Sequence, residues 1–449
     1  MSHLSHQDRR SFLRNQATLG ATGWFLWQAA AQGLCASQDP SREALVRDFL
    51  SPYVLQPDVV NAFLNPKARV WAKFHPEYGY LLRNSFVRDG VDGAYTLARY
   101  ETTGERHQVN FPDAPCRIHS YGDSFTQGHQ VSDGETWQEI LAAHFCEPIR
   151  NYGIGGFGVY QAYRRLLANE TSNSDADHLI FNLWGDDQYR SLYAWRWLIF
   201  PPEAIRTMSG EMFHANPWDH VRIDHDTNQL LEVPNRCPTP ESLLELCNLD
   251  RVVELFGDDE ITHLLIAIRT GRVVDEARLD RLAATLGETV DWSHDLSVRS
   301  CSSRLLHQYA ARVGVELLRK IKAVADQQQK KLLVLLSYPM GSVWHACNGT
   351  APGDADNVDW HPSAIKNFLT EQQIPWIDSL PAHVAEYETF KLTAKEYVDR
   401  YYIGHYTPRG NHFFAYAIKD RIVEWLNPKP PVYRGGDTPW IRFQGYLPG

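Results

Sequence analysis

Two seven-residue runs, 178–184 (HLIFNLW) and 331–337 (KLLVLLS), constrain the fold more than anything else in the chain. Neither alternates apolar with polar residues, so neither suits a strand with one face in water. Strands apolar on both faces must be covered on both, which is the arrangement of a parallel sheet with helices above and below it. Shorter strand-like runs lie at 116–121, 149–152 and 374–377, and helical patterns at 135–145, 160–169, 303–329 and 411–426. The alternation predicts an α/β fold, a three-layer α/β/α sandwich on a parallel central sheet, with active residues beyond the carboxyl ends of its strands.

The remainder of the chain is apportioned around that core. Residues 37–110 read as an irregular wrapping segment with one helix near 40–49. The sandwich takes 111–189 and 300–430, and 431–449 form a C-terminal tail. Between its halves, 190–299 form an insertion that is aromatic and loop-like at first and helical over 240–286. Long insertions in such folds grow from the loops around the site, so it is expected to act as a cap.

At 449 residues, 43% hydrophobic and 22% charged, the composition is that of an ordinary packed globule. A net charge of −10 repels phosphate backbones and anionic lipid, which argues against nucleic-acid and membrane-surface partners. No run of 18 apolar residues follows the N-terminus, so no membrane span is expected. Arg9-Arg10 ahead of a mostly uncharged stretch with small residues at 29–33 resembles a twin-arginine export signal over 1–36. That resemblance implies passage through the Tat export machinery to a periplasmic or extracellular location. The seven cysteines fit an oxidising compartment without demanding disulfides, although Cys237 and Cys247 are close enough to close a loop. No pair has the spacing of a zinc ribbon, and no metal or other cofactor is expected.

Chemistry concentrates at Tyr121-Gly122-Asp123-Ser124-Phe125-Thr126-Gln127-Gly128, where the first strand gives way to a helix. A serine in a tight turn at a strand end presents its hydroxyl at the sheet edge and its own N–H toward a bound acyl oxygen. The segment resembles the first motif of the SGNH, or GDSL-type, serine hydrolases, and three further blocks follow in order. Asn151-Tyr152-Gly153-Ile154-Gly155-Gly156, Leu183-Trp184-Gly185-Asp186-Asp187 and His405-Tyr406-Thr407-Pro408-Arg409-Gly410-Asn411 are similar to that family's later motifs. The resemblance implies a flavodoxin-like sandwich, Ser124 as nucleophile, His405 as general base, and an oxyanion hole of the Ser124 and Gly156 N–H groups with a contribution at position 186.

Two positions depart from the family pattern. Asp186 stands where the family has an asparagine, and an ionised carboxylate there would repel the oxyanion unless it is protonated, turned away or replaced by another donor. Tyr402 stands where the family has the aspartate that orients the histidine. Asp399, six residues before His405, is then the candidate acid, with a backbone carbonyl as the alternative. Asp123, Trp184 and Trp195 are expected beside the substrate, although alternation of Tyr193, Trp195 and Trp197 is equally what a buried strand produces. The cluster Asp219, His220, Asp224, His225 and Asp226 reads as a polar hairpin. Together these features predict a secreted esterase that removes acyl groups, acetyl above all, from carbohydrate or small esters. An acyltransferase acting on a sugar and a carbohydrate-binding protein with a decayed catalytic set are the alternatives.

Overall fold

The computed structural model describes residues 41–172, 175–205, 211–354 and 357–435. The export signal read over 1–36 and most of the C-terminal tail lie outside these residues. A five-stranded sheet occupies the centre, built from β1 (Ile118–Tyr121), β2 (Arg150–Asn151), β3 (His178–Trp184), β4 (Lys331–Ser337) and β5 (Trp376–Asp378). All its pairings are parallel and the strand order is β2-β1-β3-β4-β5. Every residue of β3 is buried, as is all of β4 after Lys331. This is the two-sided coverage that their apolar runs demand, and each fully buried Leu, Ile or Val there contributes about 1.5–3 kcal/mol.

The strand order reverses between β1 and β3, and that reversal opens a crevice beyond their carboxyl ends. Tyr121 pairs with Phe181, and Trp184 with Ser337, so the three longest strands deliver their following loops to one edge. Those loops run directly into α1 (Ser124–Gln127) after β1 and α4 (Asp187–Arg190) after β3. Flanking helices fall into two packed groups. One joins α2 (Trp137–Phe145) to α7 (Pro408–Trp425), and the other joins α3 (Val159–Glu170) and α4 to α5 (Asp295–Gln327).

Boundaries read from sequence shift where capping decides them. The long helix α5 begins at Asp295 rather than near 303, because the His294 side chain accepts the Ser297 N–H and starts the helix earlier. The 37–110 segment is more ordered than its composition implies. After helices Arg42–Leu50 and Pro57–Leu64 it forms two antiparallel hairpins, Ala72–His75 with Gly79–Leu82 and Ser85–Val87 with Thr96–Ala98. Strands of three or four residues are too short to announce themselves by periodicity.

The insertion is helical over its second half, as expected, with Leu249–Phe256, Glu260–Thr270 and Glu276–Leu286. These pack on Arg42–Leu50 and on α5. The polar cluster at 219–226 is a hairpin, His220–Ile223 with Leu230–Val233. The six cysteines from Cys116 to Cys347 all carry free thiols, so Cys237 and Cys247 close no loop. Among the described residues no helix is long and apolar enough to cross a membrane.

Candidate active site

Gly122 makes the turn that follows β1. Its φ is +153°, and a side chain there would bring a Cβ within 2.2 Å of Thr126 Oγ1 and 2.7 Å of the Asn182 carbonyl. Asp123 caps α1 by accepting the Phe125 N–H at 2.8 Å, and left-handed Gly128 ends that helix after a single turn. Ser124 is therefore held at the crevice on a helix too short to carry it away.

The second catalytic candidate arrives from 281 positions further on. Thr407 caps α7 by accepting the Gly410 N–H, and Pro408 takes the first helical position, where no N–H is needed. Asn411 ties this turn to α2 by accepting the Trp137 N–H at 3.1 Å while donating to the Tyr406 carbonyl. In this setting His405 Nε2 lies 2.8 Å from Ser124 Oγ. The hydroxyl also lies 3.2 Å from Asp123 Oδ2, but it has one proton to give and the shorter contact is to the imidazole.

Gln130 orients that imidazole. Its Oε1 accepts the His405 backbone N–H at 3.0 Å and faces Nδ1 at 3.1 Å, while its Nε2 donates to the Asp89 carbonyl at 3.0 Å. A backbone N–H can only donate and a carbonyl can only accept, so the two partners fix which end of the amide is oxygen. Nδ1 must then carry the proton, which leaves the Nε2 lone pair for the serine hydroxyl. Gln130 has a positive φ of 68°. Its loop is braced by buried Arg106, which donates to the carbonyls of Gln127, Gly128 and Val131 at 2.5–2.6 Å and pairs with Asp133.

Asp399 does not take this role. It lies on helix α6 (Ala394–Tyr401), exposed and paired with Lys395 one turn earlier. The intervening residues form a tight turn, in which the Ile403 N–H donates to the His405 carbonyl, so the chain does not bulge back. Tyr402 is buried, with its hydroxyl 3.3 Å from His383 Nε2. Gln130 had no signal in the sequence, since its contact with His405 spans 275 positions.

Burial, reinforced by the nearby charges of His129 and Arg190, holds the His405 pKa well below the ordinary imidazole value. The His129 ring stands edge-on to His405 at 4.7 Å, and burial lowers its pKa too.

Asp186 is turned into a charge cluster. Its Oδ1 takes Arg190 Nη2 at 2.5 Å, while Arg190 Nη1 reaches Asp187 Oδ1 at 2.9 Å, Asp123 Oδ2 at 3.4 Å and the Phe157 carbonyl at 3.1 Å. Three carboxylates thus face one buried guanidinium. Burial, then repulsion from Asp123, pushes the Asp187 carboxyl well above its ordinary range. Asp186 is thereby an acceptor already in use, and it offers no donor to an oxyanion.

The N–H groups of Ser124 and Gly156 make no hydrogen bond among the described residues, although Gly155 and Phe157 on either side of Gly156 both donate. Gly156 has φ +83°, and a Cβ there would meet Arg196 Nη1 at 2.5 Å and the Tyr80 hydroxyl at 2.6 Å. The loop is anchored by Gln127, whose Oε1 accepts the Gly155 N–H at 2.8 Å.

Of the residues expected beside the substrate, Trp184 and Trp195 belong to the core. Trp184 stacks on Phe125 at 4.6 Å beneath Arg190, and Trp195 is 1% exposed, stacks on Phe256 and donates to the Ala215 carbonyl. Asp123 is likewise fully buried beneath Ser124. The accessible surface beside the site is a pocket lined by Trp71, Val87, Tyr100, His129, Phe213 and His214, among others. Its walls come from the N-terminal hairpins, the segment Gln127–Val131 that follows α1, and the first part of the insertion; no residue of 241–286 lines it, and neither do Ser124 and His405 themselves.

The arrangement can pass a hydroxyl proton to a neutral imidazole, and among the described residues it leaves the Ser124 and Gly156 N–H groups without a partner. Among the described residues no group of three or more His, Cys, Asp or Glu is placed to hold a metal ion. No protein-family model matches the chain, and no curated protein matches it.

Proposed function

We propose that the protein is an exported serine ester hydrolase of the SGNH type, removing O-acyl groups, acetyl foremost, from carbohydrate or small esters. The observation that carries this reading is the 2.8 Å contact between Ser124 Oγ and His405 Nε2, with the tautomer set by Gln130. As Oγ attacks the acyl carbon, its proton moves to Nε2 and the carbonyl π pair moves onto oxygen, facing the Ser124 and Gly156 N–H groups. Collapse of the adduct expels the alcohol, which takes the proton from Nε2. Water then gives a proton to Nε2 as it attacks the acyl-enzyme, and the carboxylic acid leaves as Ser124 recovers its proton. A decayed binding protein would have no reason to keep serine, histidine and orienting amide in register.

The direct test is to stop the protein with acid during turnover of nitrophenyl acetate and digest it. An acetyl group on the peptide containing Ser124 is the expected result, and acetylation confined to lysines would refute the reading.

The pH profile follows from the state of His405. The base works only when neutral, and its pKa is held down, chiefly by burial. Activity is therefore expected to stay flat from neutral pH through the ordinary imidazole value of about 6.5 and to fall only at lower pH. A kcat/KM acid limb centred at or above 6.5 would contradict the placement of this base.

A further inference from the structure

Arg196 lies in the short turn Arg196–Ile199 and is 8% exposed, yet it forms no ion pair among the described residues. Its Nη1 lies 3.2 Å from His214 Nδ1, the Tyr80 hydroxyl lies beside it, and the guanidinium sits over the Phe200 ring at 5.5 Å. Its Nε is buried without a partner. An arginine taken out of water with no counter-charge is costly. The contrast with Arg190, which faces three carboxylates, is sharp. Burial, then the charge of Arg190, lowers the Arg196 pKa to about 10, which leaves it cationic at neutral pH.

The location gives that charge a use. A Cβ built on Gly156 would stand 2.5 Å from Arg196 Nη1 and 3.4 Å from Phe213 Cε1. A Cβ on Gly155 would stand 3.2 Å from Phe213 Cζ and 3.5 Å from Ser124 Cβ. The edge of one ring thus lies beside both glycines, with Ser124 next to Gly155 and the guanidinium next to Gly156. On the esterase reading, attack on a carbonyl would bring negative charge next to this volume.

We propose that the Arg196 guanidinium completes the oxyanion hole, donating from Nη1 alongside the N–H groups of Ser124 and Gly156. This rests on the esterase reading and supplies the side-chain donor that Asp186, bound to Arg190, does not. The guanidinium carries five N–H hydrogens, and its contacts with His214 and the Tyr80 hydroxyl use two of them. Because the ground-state carbonyl is uncharged and the adduct is not, a full positive charge here favours the transition state over the bound ester.

The experiment measures nitrophenyl acetate turnover and thermal unfolding of the full chain for the wild type, Arg196→Met and Arg196→Lys. Arg196→Met is expected to lower kcat by about 10²–10³-fold, with KM and Tm little changed, since the cost of burying a guanidinium without an ion pair offsets what its contacts with His214 and the Phe200 ring contribute. Arg196→Lys should recover at least tenfold of that loss. A kcat within about threefold of wild type, or a clear fall in Tm, would overturn the proposal. So would a defect confined to the KM of a succinyl ester, which would make Arg196 a subsite for a substrate carboxylate. Boron NMR of the tetrahedral adduct between Ser124 and methylboronic acid keeps the two ideas separable. If the wild type turns over no ester, the esterase reading fails. Arg196 is then judged by whether Arg196→Met weakens that adduct at least tenfold, and equal adduct stability would overturn its role.

Discussion

Ser124→Ala and His405→Ala are each expected to lower kcat for an activated acetyl ester by about 10⁴–10⁶-fold. The double variant should be no slower than the worse single one. Serine and histidine form one device, so once either is gone the other has nothing to act on. The Ser124 hydroxyl gives its one proton to His405 and has only the longer contact with Asp123 besides, and its loss should cost only about 1 kcal/mol of stability. Side-by-side turnover and melting curves therefore separate lost chemistry from lost folding. His405 also packs against the rings of Phe125 and His129 at 5.0 and 4.7 Å, so some loss of Tm is expected for His405→Ala alone. Rates for Ser124→Ala within tenfold of wild type would end the case for a serine nucleophile.

The residues the sequence located and those it missed divide along a physical line. The central strands were legible because 178–184 and 331–337 must be buried on both faces, and they coincide with β3 and β4. Ser124, Gly156 and His405 were singled out because the blocks around them resemble those of the SGNH family, and those blocks carry what the local backbone requires: Gly122 after β1, the positive φ at Gly156, and Pro408 at the start of a helix. Gln130 was not, because it is set in no local pattern and its contact with His405 spans 275 positions; Arg196 was not, because nothing in the run around it marks a buried guanidinium without an ion pair. Asp399 failed for the converse reason. It is near His405 in sequence, yet the exit of α6 points it into solvent against Lys395. Trp195 looked like a stacking surface because alternation cannot tell a ligand face from a buried one.

Gln130 carries the other large expected effect. Gln130→Leu removes the acceptor that holds the proton on His405 Nδ1, so the ring is free to adopt the tautomer whose Nε2–H blocks proton transfer from Ser124. A wrongly held tautomer costs up to about 10⁴-fold. A loss of about 10²–10³-fold in kcat is expected here, since the ring would sample both tautomers rather than be locked in the wrong one. The effect should fall mainly on kcat, because the amide acts through the imidazole. Gln130→Glu sharpens the test. Its carboxylate would still accept from Nδ1 and would stabilise the imidazolium, so the acid limb of kcat/KM should move to higher pH than in the wild type. Stability should fall, because an oxygen would replace the Nε2 donor that now meets the Asp89 carbonyl at 3.0 Å. An amide is the group that satisfies both neighbours at once, accepting from the histidine on one side and donating to a carbonyl on the other. If Gln130→Leu keeps kcat within threefold of wild type and Gln130→Glu leaves the pH profile in place, His405 is oriented by something else.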